Sequence, residues 1–341
     1  MATMMEIARL AGVSRGTVDR VINGRGGVGP ETTERILRAA AQLEYSPNKA
    51  ARALSAGKRN FLIEFILFNP GKAHYYLDIR QGALSAVEEL QASDVILKFR
   101  YLENWSEQEI LTRLNEAVAD GASGIAVFAT SDPAVVERIR EITDAGIPVM
   151  TVGSEIPECG QLGFVGSNAY RAGRTAAGLI HLIQRQEIHL GVILGFRSRF
   201  YHNRRLTGLT AGLEEQGRPW SLSFVECSND DEFDCFDIVK EQMLLHPEVN
   251  TLFLSTSSSY GACRALERLK LPKLPKVVCY DKTPGIREML QKGVISATIG
   301  QEPVRQGRKA VLMLFDYLAF GAVPREKKIY TENKIIIREN L

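Results

Sequence analysis

The sequence predicts a small α-helical head built on a helix-turn-helix. A linker of short helical potential joins it to an α/β body of two Rossmann-like lobes. Three observations predict this. Residues 11–23, AGVSRGTVDRVIN, have the spacing of a turn followed by a second helix. From Phe61 the pattern changes to apolar strands alternating with amphipathic helices. At 341 residues the chain is too long for one ordinary core, and its length suits about two to three domains.

The head comes first. Ile7, Ala8 and Ala11 form a short helical stripe, and small Ala8 allows two helices to cross closely. Gly12 falls where a tight turn needs positive φ. Ser14 is a natural N-cap, since its hydroxyl can accept a free amide of the next helix's first turn. Val18, Val21 and Ile22 return to an apolar stripe. Arg15, Gly16, Thr17 and Arg20 are left outside, on the face that enters the major groove in a helix-turn-helix. The loop GRGGVGPE, residues 24–31, is glycine-rich but follows a helix and not a strand, so it does not read as a phosphate loop. Pro30 then opens a third helix, which runs to Leu43. Ile36, Leu37, Ala40 and Leu43 are its inner stripe, closing a three-helix core with Tyr45.

Residues 46–60 form a linker with helical potential over 48–55. That is far below the ~12–15 residues an isolated helix needs. In the body, FLIEFILF and VILKFRYL read as strands. A helix lies between them over 78–91, with Ile79, Leu84, Val87 and Leu90 as candidate buried positions. SEQEILTRLNEAVADG is a capped helix ending at Gly121. GIAVFAT, IPVMTVG, LGFVGSN, HLGVILG, SLSFVEC, TLFLST, KVVCYD and SATIGQ continue the strands. Helices are expected near 133–145, 170–184, 203–216, 235–245, 260–269 and 284–292. Such units imply parallel sheets with helices on both faces. About ten strands are best divided between two lobes, with a ligand between them outside the carboxyl ends of the strands.

Composition limits the function classes. Hydrophobic residues make up 45% and the net charge is only +2. The charge is uneven, however: residues 1–60 carry about +5 and the rest about −3. A basic head on a near-neutral body suits a phosphate-binding unit with a second partner elsewhere. No leader segment is visible, and no apolar run approaches the ~20 residues of a membrane span. The five cysteines (159, 227, 235, 263 and 279) lack metal-like spacing and read as reduced thiols. The five histidines are scattered, and no nucleophile elbow or metal cluster appears at a strand end, so no catalysis, metal or cofactor is expected.

Residues 5–60 resemble, almost end to end, the N-terminus of LacI/GalR-type bacterial transcription regulators. The resemblance is carried by AGVS, TV-x-RV-x-N, ET-x-E-R-x-x-x-AA and L-x-Y-x-PN-x-x-AR-x-L, at fixed mutual distances. It implies a DNA-binding head over 1–46 and a hinge helix within 47–60. The implied DNA-facing residues are Ser14, Arg15, Gly16, Thr17, Arg20, Asn23, Asn48, Lys49, Arg52 and Leu54. Arg15 and Thr17 are the best base readers, and Arg20 and Lys49 suit phosphate or groove contacts. Leu54 matches the residue that the family's hinge helix wedges into a central minor-groove step, kinking the duplex. Gly16 stands where the family often has a longer reading side chain. Asp19 replaces a usual serine, so an operator cannot be read off by analogy.

Residues 61–341 resemble the type I periplasmic-binding-protein fold carried by the same family. GIPV-x-TV (146–152), FVGSN (164–168), HPEVNTLF (246–253), VVCYD and ATIGQ (297–301) carry that resemblance. It implies lobe one over about 61–167 and 302–328, and lobe two over about 168–301 and 329–341. Carried over to this chain, the effector-binding positions are His74, Tyr75, Tyr76, Ser154, Asn203, Arg205, Asp281 and Gln301. The usual carboxylate–arginine pair after the TV strand is replaced by Gly153 and Ser154, and TLFLST leads into Ser257–Ser259 where an Asn–Asp pair is common. The identity of any sugar therefore does not follow.

Together these readings describe a cytoplasmic transcription regulator, a homodimer with a tetramer as the alternative. Its partners are a pseudo-palindromic double-stranded operator and a small sugar-like effector. A repressor is the first reading; an activator or a non-sugar effector are the others.

Overall fold

The protein is described from a computed structural model covering residues 3–22, 27–43, 60–69, 74–90, 95–196 and 200–341. Asn23, Tyr45, Asn48, Lys49, Arg52 and Leu54 lie outside the described residues.

Three helices build the head: α1 (Met4–Ala11), α2 (Arg15–Ile22) and α3 (Pro30–Gln42). Thr3 opens α1 with a capping box, its hydroxyl accepting from the Glu6 amide while the Glu6 carboxylate takes the Thr3 amide at 2.7 Å. Gly12 closes α1 at φ 64°, the left-handed conformation the turn requires. Ser14 then caps α2, its Oγ accepting from the Thr17 amide at 3.1 Å. Ile7, Val18 and Ile36 are fully buried at the centre of this small core, with Ala8, Ala11 and Ala40 around them. Leu37 and Leu43 are half-buried against it.

The body begins with β1 (Phe61–Phe68), α4 (His74–Glu89), β2 (Val95–Leu102), α5 (Glu107–Ala119), β3 (Gly124–Val127), α6 (Pro133–Asp144), β4 (Val149–Val152) and β5 (Gly163–Ser167). It continues through α7 (Ala169–Ile183), β6 (Ile188–Leu194), α8 (Phe200–Glu215), β7 (Trp220–Cys227), α9 (Glu232–Leu245), β8 (Thr251–Ser255), α10 (Ser259–Leu269) and β9 (Lys276–Tyr280). It ends with α11 (Pro284–Gln291), β10 (Ala297–Gly300), α12 (Pro303–Phe320), β11 (Lys328–Thr331), β12 (Lys334–Ile336) and a short 3-10 turn.

Two six-stranded sheets result, ordered β2-β1-β3-β4-β5-β11 and β7-β6-β8-β9-β10-β12. Neighbouring strands are parallel except for β10 and β12. Strands buried on both faces need near-continuous apolar runs, which is why FLIEFILF and TLFLS were legible. The one acid in that first run, Glu64, is fully buried on β1, and Arg100 of β2 meets it at 2.9 Å. The ion pair compensates a carboxylate that would otherwise be costly to bury.

One expected boundary is corrected. Residues 329–331 do not join lobe two: with Lys328 they extend the first sheet as β11, in parallel register with β5 from Lys328↔Phe164 to Thr331↔Ser167. The chain crosses to lobe two only afterwards, and β12 pairs with β10. Leu84 is half-buried and not part of the core. α12, which carries the return to lobe one, packs its face of Ala310, Val311, Leu314 and Phe315 into the same core as β1 and α4.

In each lobe a helix pair crosses where glycine removes the side chain. A Cβ on Gly307 of α12 would overlap the Ile79 carbonyl of α4, and one on Gly173 of α7 would overlap the Arg205 carbonyl of α8. These crossings fix the N-terminal turns of α4 and α8, which face the gap between the lobes. Among the described residues no helix is long and apolar enough to cross a membrane.

Candidate functional site: an interlobe cleft and a helix-turn-helix face

The carboxyl ends of the strands from both sheets converge on a cleft between the lobes. Lobe one contributes an aromatic wall. Tyr75 and Tyr76 come from the first turn of α4, Trp105 from the end of β2 and Phe128 from the end of β3. Tyr76 sits edge-on to Phe128 at 5.5 Å and tilted against Phe68 at 5.3 Å, and Trp105 lies 3.8 Å from Phe68. Gly153, at φ 73°, brings the chain after β4 against Phe128 and delivers Ser154 to the cleft.

Lobe two contributes a polar wall. Arg205, in the second turn of α8, is buried and stands over Tyr280 with its guanidinium carbon 3.8 Å from the ring centroid. It donates to Gln301 Oε1 at 2.5 Å, and Gln301 Nε2 donates to Asp281 Oδ1 at 2.7 Å. His202 Nδ1 and Ser255 Oγ are 3.2 Å apart behind this chain. Asp281 takes φ 71°, a left-handed conformation that carboxyl-bearing residues tolerate, directly after β9. Burial pushes its carboxyl up to about 6, against the pull of the Gln301 hydrogen bond and the Arg205 charge. Arg205 Nε and the Tyr280 hydroxyl are buried without a hydrogen-bond partner among the described residues. Such donors are costly to leave unsatisfied, at about 1–3 kcal/mol each.

The two walls are tied through the lobe crossings. Tyr75 donates its hydroxyl hydrogen to Gln306 Oε1 at 2.9 Å, and Gln306 Nε2 donates to the Gln301 carbonyl at 2.8 Å. The Thr331 hydroxyl reaches the same carbonyl at 2.8 Å. Ser167 Oγ donates to Asn333 Oδ1 at 2.8 Å, linking the first crossing to the third. Burial also raises the Tyr75 phenol, so it stays neutral and donates.

The structure thus brings Tyr75, Tyr76, Ser154, Arg205, Asp281 and Gln301 together. His74 lies at a flanking opening beside Tyr75, Tyr280 and Asp281. Asn203 is corrected: it is exposed and does not line the cleft. The helix turns by 3.6 residues, so the face that holds Arg205 holds His202 and Tyr201, with Asn203 pointing away. Sequence reading missed Trp105, Phe128, Tyr201, Asp230, Thr256 and Tyr280. Asp230 follows β7, and its Oδ1 accepts from the Thr256 hydroxyl and the Ser257 amide, each at 2.8 Å. Their common signal is position: most stand at or just past the carboxyl end of a strand.

In the head, Arg15, Gly16 and Arg20 are exposed on α2 and Thr17 is half-buried. The Thr17 and Ser14 hydroxyls are 2.9 Å apart. A Cβ on Gly16 would meet only Ser14 Oγ at 3.7 Å, so the reading face is open at that position.

A helix-turn-helix carried by a two-lobed body with a polar cleft is the build of a ligand-responsive DNA-binding regulator. Residues 63–322 match the periplasmic binding protein domain family, and residues 3–48 match the bacterial regulatory proteins of the lacI family. The HTH-type transcriptional regulator CelR of Thermobifida fusca is 25% identical over 99% of this chain and 98% of its own length. The HTH-type transcriptional repressor PurR of Haemophilus influenzae (strain ATCC 51907 / DSM 11121 / KW20 / Rd) is 23% identical over 100% of this chain and 99% of its own. Among solved structures, GanP, a glucose-galactose binding protein from Geobacillus stearothermophilus, shares the body's fold with a TM-score of 0.75. It is 24% identical over 83% of this chain and 99% of its own. The chain belongs to the LacI-type regulators, with a lacI-family head on a periplasmic-binding-protein body, and is a DNA-binding transcriptional regulator.

Proposed function

We propose that the protein is a cytoplasmic homodimeric repressor whose operator affinity is set by a small polyhydroxylated effector, a sugar or sugar derivative, held between the lobes. The observation that carries this reading is the Arg205–Gln301–Asp281 chain facing an aromatic wall. Sugars present vicinal hydroxyls, which pair with fixed carboxylate, amide and guanidinium groups, and flat C–H faces, which stack on rings. The names of the relatives, a transcriptional repressor among them, favour repression over activation.

A ligand acts only through unequal affinity for the two DNA-binding states. Here the difference arises when the lobes close. Gln301 and Thr331 sit on the crossings, and Gln306 joins them to Tyr75, so a ligand that draws the walls together moves lobe one against lobe two. Lobe one leads through the linker to the head. Two heads of a two-fold dimer then match or mismatch two half-sites.

The test has two parts. An operator is selected by the full chain from a random duplex pool, and sugars, sugar phosphates and polyols are screened by thermal shift. A pseudo-palindromic operator and a concentration-dependent rise in midpoint with a sugar are expected. An operator without two-fold character, or a panel without a hit, would count against the dimer or the sugar respectively. For the hinge, Leu54→Ala is expected to weaken operator binding about tenfold and reduce the DNA bend, read by anisotropy and gel mobility.

A further inference from the structure

Glycine inside a helix costs stability, because it orders the most flexible backbone and packs nothing in return. Most helical glycines of this chain have a reason within the protein. A Cβ on Gly82, Gly208 or Gly261 would overlap a carbonyl of a neighbouring helix, as at Gly173 and Gly307. Gly16 has no such reason. It sits in the first turn of α2 without a positive φ, it is exposed, and a Cβ there would meet only Ser14 Oγ, at ordinary van der Waals distance. Gly178 of α7 shares that freedom, but it belongs to the body and not to the DNA-binding head.

The surroundings of Gly16 point to a partner outside the chain. Arg15 precedes it, and Arg20 stands one turn above it at i+4 on the same face. Both arginines are exposed and have no ion pair among the described residues. Thr17 turns its hydroxyl to Ser14 Oγ at 2.9 Å. Between two free cations, which suit guanine edges and phosphates, the helix thus presents bare backbone. The major groove offers one apolar group to such a spot, the thymine C5 methyl. A polar base edge set against the Gly16 Cα would lose its water and gain no side-chain partner, whereas a methyl gains by burial.

We propose that Gly16 is the point of closest approach between α2 and the bases, and that it reads a thymine of the operator by seating the methyl group against its Cα. The selection is steric. Any side chain at 16 holds the helix off the groove floor and draws Arg15 and Arg20 away from their contacts. The inference uses the DNA-binding head alone and is independent of the effector.

The test starts from an operator selected by the full chain out of a random duplex pool, with Kd read by fluorescence anisotropy. Gly16→Ala is expected to melt at the same or a higher temperature, since alanine favours the helix. Its operator affinity is expected to fall at least about tenfold, the order of one mismatched base pair. Its affinity for unrelated duplex at low salt, which rests on phosphate contacts, is expected to change less than about twofold. Each thymine of the operator is then replaced in turn by deoxyuridine, which removes only the methyl. At one position the wild type is expected to lose about threefold, the worth of one buried methyl. There Gly16→Ala is expected to recover, so that the two proteins bind that duplex within about twofold of each other. Gly16→Ala binding the selected operator as tightly as the wild type, or a loss that no single thymine methyl accounts for, would overturn the proposal.

Discussion

The two walls of the inner cleft hold their side chains in different ways. In lobe two, Arg205, Gln301 and Asp281 are committed to one another, and the stack on Tyr280 removes the guanidinium's freedom. In lobe one, Tyr76, Trp105 and Phe128 pack ring on ring with Phe68. Hydrogen-bonded charges have strict directional demands, whereas ring packing tolerates small shifts. The contrast assigns recognition to lobe two and closure to lobe one. On the proposed reading, a sugar would dock first on the preorganised polar wall, and the aromatic wall would then cover its apolar face. Tyr75 is the exception, a ring tied by its hydroxyl to the crossings, and on the proposed reading it would carry closure to them.

That division predicts unequal effects. Arg205→Ala removes the only described cation of the inner cleft wall and leaves Gln301 and Asp281 partly unpaired. The loss in sugar affinity is expected to exceed about 100-fold by calorimetry, since stranding buried polar partners costs several kcal/mol. Trp105→Ala should cost about tenfold, the worth of one stacking face. If the aromatic substitution costs more than the arginine, the assignment of recognition to lobe two fails.

A pH profile sharpens the same contrast. Asp281 has its carboxyl raised to about 6 from an ordinary 3.8. A sugar hydroxyl donates to the ionised form, so binding releases a proton wherever the carboxyl is still protonated. Affinity is therefore expected to rise between pH 5 and 7 by about tenfold and to level off above, with Asp281→Asn flat across that range. The sign for stability is opposite: a raised carboxyl favours the folded state while protonated, and that contribution is lost as pH rises from about 4 through 6.

The smallest effect on binding should accompany the largest effect on signalling at Gln306. It is fully buried and joins Tyr75 to the Gln301 carbonyl. In Gln306→Leu, sugar affinity is expected to change by less than about threefold while the sugar's effect on operator affinity falls sharply. An unchanged operator response would remove Tyr75 from the route between the walls and the head.

How legible this was in the sequence depended on how local the signals are. Gly12, Ser14 and the Val18, Val21 stripe are separated by fixed short spacings, so the head could be read directly. The strands of the body were legible because parallel strands buried on both faces are continuous apolar runs. Three of the helix starts were not. α4 begins at His74, α8 at Phe200 and α9 at Glu232, each three or four residues before the first apolar repeat. First turns are polar and aromatic because they face the cleft, so they carry no periodic signal. Asn203 was carried over with the resemblance as a neighbour of Arg205; with α8 beginning at Phe200, the cleft face falls on Tyr201, His202 and Arg205. Trp105, Phe128, Asp230 and Tyr280 come from four strands far apart in the chain, and only the sheet order brings them together. β11 was misplaced for the same reason: four residues, KIYT, do not say which sheet edge they extend.

The most direct test of the account is operator affinity, measured by fluorescence anisotropy on the full chain with its selected operator, with and without a saturating bound sugar. The sugar is expected to shift the wild-type operator Kd by at least about fivefold, as a coupling of about 1 kcal/mol or more requires. Asp281→Asn should bind operator normally and show no shift at the same sugar concentration. Equal Kd values for the wild type with and without a sugar shown to occupy the cleft would contradict the central claim that the cleft controls the head.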